Sequence, residues 1–216
     1  MNPSDPKLSA RRRFLTQLSG GIAALAGISV PGAAQQAATL ANPAHDAWMR
    51  RARGRHRQFF HATSPADGAA MLMAVNFLDV YASAYGEAPG HVSAVIGVHG
   101  TALPIGFVDA AWNKYELGQR ISVNDPDTSQ PARRNVFSLG GPISIDTAMR
   151  RGVVLLVCNV ALTRLSSALA RARSLPEADV YNELKASIIP DAVLVPALVV
   201  AMNRAQERGF TYVRAS

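Results

Sequence analysis

The residue best suited to chemistry in this sequence is its single cysteine, Cys158. It follows an unbroken apolar run at 153–157, the pattern of a strand buried on both faces, and a helical pattern begins just after it. The amino end of a helix carries partial positive charge, which stabilises the nucleophilic thiolate form of cysteine. Asn159, the next residue, belongs to the types that cap such helices. This arrangement is typical of a catalytic cysteine that attacks sulfur or carbonyl carbon.

An inert role for Cys158 is equally consistent with its position, because free cysteine is commonly buried and packs as a small apolar side chain. A single cysteine excludes an internal disulfide and a cysteine-rich zinc site, although a disulfide to another chain stays open. The choice between a reactive and an inert thiol therefore depends on the surroundings of the sulfur atom.

Ligands of open α/β sheets bind beyond the carboxyl ends of the strands. The strand ends that carry polar residue types here are 61–64, 99–101 and 158–159. Among these residues, we predict that three bind the substrate of the cysteine: His99, Gly100 and Asn159. The glycine after His99 allows close approach of the backbone to a ligand. A hydrogen-bonded structural histidine explains His99 equally well, and His61 is a weaker candidate of the same kind.

The sequence lacks the spacing patterns of several other sites. It contains no HExxH, HxH or histidine–aspartate cluster for a metal, no GxSxG elbow for a serine nucleophile, and no GxGxxG or Walker loop for a nucleotide. Asp109 and Glu116 are seven residues apart, which is too loose a spacing to indicate paired acid–base catalysis. We therefore expect neither a metal nor a cofactor.

The elements that must position these residues alternate from about Arg55 onward. Strands are predicted at 58–61, 92–98, 153–157, 192–195 and 210–213, with helical patterns between them, one of which covers 104–117. Five strands separated by helices predict an α/β fold, a three-layer α/β/α sandwich around a mainly parallel sheet. The segment 122–142 is rich in Pro, Gly, Asp and Asn, and it predicts a long loop of the kind that forms lids, binding sites or oligomer contacts.

Residues 1–34 have the pattern of an export signal. Basic residues precede an apolar stretch at 18–30, which is shorter than the about 20 residues of a membrane-spanning helix, and small residues end the segment. The run Arg-Arg-Arg-Phe-Leu at 11–15 resembles the twin-arginine (Tat) motif, which implies export of the folded protein to the periplasm. A basic amphipathic tail is the alternative. Export favours a reactive Cys158, because a lone thiol without a use is a liability in an oxidising compartment.

The net charge of +7 and the isoelectric point near 10.2 suggest a nucleic-acid partner, but the charge is concentrated in two short segments. Residues 1–34 carry +3, and five arginines between 50 and 57 account for more than the remainder. The rest of the chain is nearly neutral, and the arginine run lacks interleaved aromatic residues, so we expect no nucleic-acid binding. We predict a solvated basic linker at 35–54 and a folded domain at 55–216.

Several segments of the domain together form a familiar pattern. They are NFL at 76–78, VIGVHG at 95–100, WNKYELG at 112–118, VCNVAL at 157–162, PDAVLVP at 190–196 and NRAQERGFTY at 203–212. In their order and spacing they resemble the DsrE/DsrF-like family of small sulfur-relay proteins. They are most similar to the exported branch of that family, whose members carry Tat signals. The resemblance implies a DsrE-like five-stranded parallel sheet, homotrimers or homohexamers, and a cysteine after the third strand that carries sulfur as a persulfide. That cysteine matches Cys158. The loop at 122–142 is longer than a minimal member needs, and the best understood relay members are cytoplasmic.

Three functions stay open. In the first, Cys158 belongs to a sulfur carrier or sulfurtransferase: it attacks a sulfane sulfur donor, holds a persulfide and passes the sulfur to an acceptor protein thiol, while His99 and Asn159 position the sulfur. In the second, a non-catalytic homo-oligomer binds a small ligand or a protein at the sheet edge and the 122–142 loop, and Cys158 is inert. The third is a cysteine hydrolase, which lacks an acidic partner for His99. In each case the Tat translocase is a partner only during export.

Overall fold

Residues 43–215 of the chain are described in a computed structural model. The predicted signal peptide at 1–34 and the first part of the predicted linker lie outside these residues. Between residues 43 and 215, no helix is long and apolar enough to cross a bilayer.

Five parallel strands form one sheet in the order β4-β3-β2-β1-β5. The strands are β1 (His56–Ala62), β2 (Val92–Val98), β3 (Val154–Cys158), β4 (Val193–Val195) and β5 (Thr211–Arg214). Strand β3 is buried along its whole length, as its unbroken apolar sequence requires in a sheet covered on both faces. The predicted five-stranded parallel sheet is therefore confirmed.

Helices cover both faces of this sheet. The α-helices are α1 (Ala69–Tyr85), α2 (Asp109–Tyr115), α3 (Leu117–Ile121), α4 (Ile145–Arg150), α5 (Asn159–Arg173), α6 (Glu177–Ala186) and α7 (Leu198–Glu207). Successive strand residues point to opposite faces. Phe60 packs edge-on against Phe77 of α1 with ring centres 5.8 Å apart, whereas Phe59 packs against Trp48 at 6.4 Å. The prediction of a three-layer α/β/α sandwich is confirmed.

The second half of the predicted linker packs against the domain. The 3₁₀ helix Pro43–Arg51 belongs to the same compact unit as the sheet, and its Trp48 is only 2% exposed. Asp46 accepts two hydrogen bonds from the guanidinium of Arg204 on α7, at 3.0 and 2.6 Å. The arginines of this segment suggest a solvated arm, but the segment also carries one large aromatic side chain, and burying that side chain docks the segment onto the sheet.

The predicted single helix at 104–117 is wrong, because the chain divides it into a 3₁₀ helix, Gly100–Gly106, and the separate helices α2 and α3. Pro104 lies inside the 3₁₀ segment and lacks the N–H that a regular helix needs. Glu116, between α2 and α3, is left-handed with a φ of 51°. A helical periodicity spans the break because both helices bury one face.

The predicted loop at 122–142 contains one short 3₁₀ turn, Val136–Ser138, and is tied to the domain by a buried side chain. The amide of Asn135 donates to the carbonyl groups of Ile105 and Phe107, at 3.0 and 2.8 Å. The backbone N–H of Asn135 donates to Asp109 Oδ1 at 2.8 Å. These bonds fix the middle of the loop beside the start of α2.

Candidate functional site

The carboxyl ends of the three central strands meet at one cavity of about 590 Å³. Val98 and Val157 are paired across β2 and β3, so the residues that follow them, His99 and Cys158, lie side by side at the sheet edge. His61, near the end of β1, lines the same cavity. The parallel register thus brings together three side chains that are far apart in sequence.

The sulfur of Cys158 lies at the amino ends of two helices. Cys158 immediately precedes α5, and its Sγ accepts a hydrogen bond at 3.3 Å from the backbone N–H of Leu198, the first residue of α7. The residue is only 4% exposed, so the sulfur is reached through the cavity. A donated N–H and the partial positive charges of two helix ends both favour negative charge on this sulfur.

Asn159 does not line the cavity with the other predicted binding residues. It is the first residue of α5 and not its N-cap, which is Cys158, so the predicted capping role is wrong. Its Oδ1 instead accepts a hydrogen bond from the hydroxyl of Tyr181 at 2.7 Å. Asn159 therefore links α5 to α6, one residue away from the sulfur.

Gly100 lines the cavity in a conformation that favours glycine. Its φ is 62°, and a Cβ atom at this position would lie 2.8 Å from the carbonyl oxygen of Thr63. The backbone N–H of Thr101 donates to that same oxygen at 3.1 Å. Gly100 thus lets the chain turn tightly after β2, which places His99 at the cavity wall.

The two histidines of the cavity are joined by a hydrogen bond. His61 Nε2 lies 3.3 Å from His99 Nδ1, and His61 Nδ1 lies 3.0 Å from the hydroxyl oxygen of Tyr212 on β5. His61 is 9% exposed. Desolvation by this burial, and then the nearby His99 and Arg214, lower the pKa of His61 below its ordinary value. These surroundings therefore disfavour the charged form of His61.

Two arginines give the cavity a positive character. Arg120 of α3 and Arg164 of α5 both line it, and neither makes an ion pair with any of the residues that the structure describes. No aspartate or glutamate between residues 43 and 215 lines this cavity. An anion is therefore the kind of ligand that the wall complements electrostatically.

The remaining wall is apolar. Its side chains come from α5 and from the start of α7: Val160, Ala161, Leu165, Ala168, Ala197, Leu198, Val199 and Met202. Val160 and Val199 are 43% and 67% exposed. Apolar walls with a few convergent polar groups are typical of small-molecule sites.

The loop at 122–142 contributes no residue to this cavity. It lines a separate cavity of about 630 Å³ together with Asp67 and Gly68. In the described part of the chain, no three His, Cys, Asp or Glu side chains are grouped so that they could hold a metal ion.

Of the polar cavity residues, two are predicted site residues and a third is the weaker candidate His61. Cys158 and His99 both line the cavity, and His61 joins them because β1 is the neighbour of β2 in the sheet. The signal for His61 was its place at a strand end. Arg120 and Arg164 carry no such signal, since they lie within helices among many other arginines of the sequence.

No known protein family matches this chain, and no curated protein matches it. Among solved structures it is similar to MTH1491, a protein of unknown function from Methanobacterium thermoautotrophicum, with 14% sequence identity and a TM-score of 0.41. The match covers 74% of this chain and 98% of the archaeal protein. A likeness this distant assigns no activity, ligand or partner, so membership of the DsrE/DsrF-like family stays a proposal.

Proposed function

We propose that this protein is a thiol-based sulfur carrier or sulfurtransferase that forms a persulfide on Cys158. The observation that carries the proposal is the setting of the sulfur, which accepts an N–H at the amino end of α7 and adjoins the amino end of α5. It lies at a cavity whose two arginines make no ion pair within residues 43–215. Such a setting stabilises a thiolate and attracts an anionic partner.

The donor that fits this cavity is a small anion containing sulfane sulfur, such as thiosulfate or a polysulfide. Arg120 and Arg164 hold its charged end, since guanidinium groups match the geometry of oxyanions. The Cys158 thiolate attacks the terminal sulfur, and a new sulfur–sulfur bond forms. The bond inside the donor breaks, and its electron pair leaves with the remaining group, which is sulfite when the donor is thiosulfate. An acceptor thiol then attacks the outer sulfur of the persulfide and releases the Cys158 thiolate.

Mass spectrometry of the intact full chain after treatment with thiosulfate or polysulfide tests this proposal. The expected result is the mass of one added sulfur atom, lost on addition of a thiol and absent from Cys158→Ser. Arg164→Ala should slow the thiosulfate reaction about tenfold or more, because a charge-assisted contact contributes about 1.5–3 kcal/mol. Arg171→Ala, which replaces another exposed arginine of α5 outside the cavity wall, is the matched control. An accessible Cys158 thiol that takes up no sulfur contradicts the proposal.

The burial of Cys158 favours a second candidate, in which the cavity binds an anion without covalent chemistry. A thiol that is 4% exposed is also what an inert core cysteine shows. In that case Cys158→Ser leaves ligand binding unchanged, and iodoacetamide alkylates Cys158 only at the slow rate of an inert buried thiol. Calorimetric titration with sulfite, the product of the thiosulfate reaction, measures binding in the unaltered protein and in Cys158→Ser.

We also propose that the protein belongs to the exported branch of the DsrE/DsrF-like family, is carried to the periplasm by the Tat translocase and forms a homo-oligomer. The twin-arginine run at 11–15 supports export. Replacing Arg11 and Arg12 by lysine should retain the protein in the cytoplasm, as cell fractionation measures. Sedimentation should give a trimer or hexamer, and a monomer contradicts that part of the proposal.

A further inference from the structure

Three titratable side chains form a row from the edge of the sheet to the wall of the Cys158 cavity. The hydroxyl of Tyr212 lies 3.0 Å from His61 Nδ1, and His61 Nε2 lies 3.3 Å from His99 Nδ1. Tyr212 is on the edge strand β5 and is 42% exposed, whereas His61 is 9% exposed. The row therefore connects solvent to the cavity through a buried imidazole.

Both ring nitrogens of His61 are engaged, so its tautomer is coupled to the proton positions of its two neighbours. In one state Tyr212 donates to His61, His61 donates from Nε2 to His99, and the proton of His99 is on its Nε2. In the other state His99 donates from Nδ1 to His61, His61 donates to Tyr212, and the hydroxyl proton of Tyr212 points to solvent. When the row passes from the first state to the second, His99 Nε2 gives up one proton to the cavity and the hydroxyl of Tyr212 takes up one proton from solvent.

We propose that Tyr212, His61 and His99 form a proton relay that protonates the group leaving from the sulfur that Cys158 attacks; this inference rests on the proposed function. For thiosulfate, the Cys158 thiolate forms a bond to the outer sulfur while the sulfur–sulfur bond of the donor breaks. The electron pair goes to sulfite, which takes the Nε2 proton of His99 and leaves as hydrogen sulfite. Water then replaces the proton through Tyr212 and His61. These two residues act through His99 and are positioning residues.

The surroundings of His61 suit a relay, because only a neutral imidazole can accept a proton on one nitrogen while donating one from the other. Burial lowers the pKa of His61, and so, to a lesser extent, do His99 and Arg214, which face it from the ends of β2 and β5. Arg120 and Arg164 add positive charge to the same cavity from α3 and α5, and Cys158 is the titratable group from β3. No carboxylate between residues 43 and 215 lines the cavity to stabilise a charged imidazole.

Thiol–disulfide exchange at Cys158 tests the relay without any sulfur donor. Two disulfides are compared at neutral pH: 5,5′-dithiobis(2-nitrobenzoate), whose leaving thiolate is stable without a proton, and 2-hydroxyethyl disulfide, whose leaving thiolate is strongly basic. Tyr212→Phe should slow the reaction with 2-hydroxyethyl disulfide about tenfold and change the other by less than about twofold, since general acid catalysis aids basic leaving groups. His61→Gln, which keeps hydrogen-bonding groups but cannot relay a proton, should give the same ratio.

Tyr85→Phe is the matched control, because Tyr85 is 70% exposed on α1 and is not among the residues that line the cavity. Equal slowing of both disulfides in Tyr212→Phe, or slowing of neither, overturns the relay. Thiosulfate treatment of the unaltered protein is run in parallel. If it adds no sulfur to Cys158, the proposed function fails, whereas the ratio of the two disulfide rates still decides whether the relay exists.

Discussion

Replacing Gly97 by alanine should destabilise the fold and disturb Cys158 at the same time. A Cβ atom at this position of β2 would lie 2.7 Å from Leu198 Cδ1 and 2.8 Å from two ring carbons of Phe59. Phe59 is 0% exposed and closely packed, and Leu198 is 2% exposed and can yield only toward the cavity that it lines. Overpacking of this kind costs about 2 kcal/mol, which lowers the melting temperature of a domain of this size by about 4–8 °C.

The same substitution reaches the sulfur through the backbone of α7. The N–H of Leu198 donates to Cys158 Sγ, so a shift of Leu198 away from Gly97 lengthens that hydrogen bond. We expect slower alkylation of Cys158 by iodoacetamide, measured by mass spectrometry, beside the lower melting temperature measured by circular dichroism. Gly141→Ala is the control, because a Cβ atom there meets nothing within 4 Å, and such surface changes stay within about 0.5 kcal/mol.

A double-mutant cycle decides whether the side chain of Leu198 causes the strain. With Leu198→Ala in place, the Gly97→Ala change should cost about 1 kcal/mol less than it does alone, because contacting residues couple by about 0.5–3 kcal/mol. An unchanged melting temperature in Gly97→Ala would refute the packing argument. Strictly additive effects would place the strain at Phe59 instead, and normal alkylation would then be expected.

Three further outcomes follow from other contacts. Gly118→Ala should leave little folded protein, as a thermal melt measures, because its Cβ atom would overlap the carbonyl oxygen of Ala132, which is a backbone atom and cannot rotate away like a side chain. Arg55 and, to a lesser extent, two histidines bind Glu87 and lower its pKa. The resulting stabilisation is present above the ordinary pKa of a glutamate and is lost as the pH falls through the lowered value. Glu87→Gln should therefore make the stability less dependent on pH in acid unfolding followed by circular dichroism. Burial and a hydrogen bond to Glu183 raise the pKa of Tyr115 to about 12, so its contribution to stability is complete below pH 10 and lost as the pH rises toward that value. Ultraviolet titration should therefore show one late phenolate that is missing in Tyr115→Phe.

The sheet was predictable because its signal is local and strong. The unbroken apolar run before Cys158 is the pattern of a strand covered on both faces, and β3 is buried throughout. The break at Glu116 was not predictable, because its left-handed backbone is imposed by the packing of α2 and α3 rather than by a glycine. The docking of the segment around Trp48 was not predictable for a similar reason. The neighbouring arginines indicate a solvated segment, but the free energy gained by burying one indole side chain exceeds the gain from leaving the whole segment in solvent.

The site was predictable only where it coincides with strand ends. Cys158 and His99 follow strands directly, and the parallel topology alone places them at one edge. Tyr212 was beyond sequence reasoning, since it lies within β5 and reaches His61 only because β5 pairs with β1. The position of β5 depends on the crossover from β4 across the whole sheet, which no local pattern records.

The net charge of the sequence does not predict the electrostatic character of the cavity. The net charge of +7 is carried largely by residues 1–34 and by the arginine run at 50–57, and none of the five arginines of that run lines the Cys158 cavity. What matters for chemistry is that Arg120 and Arg164 lie at one cavity without carboxylate partners in the described chain, while other arginines, such as Arg204, are neutralised by ion pairs. An unpaired cation has more to gain from an anionic ligand than a paired one, because no existing contact must be broken. For the chemistry of the cavity, the total charge therefore matters less than the identity of the arginines that lack an ion-pair partner. Only the fold determines which arginines those are.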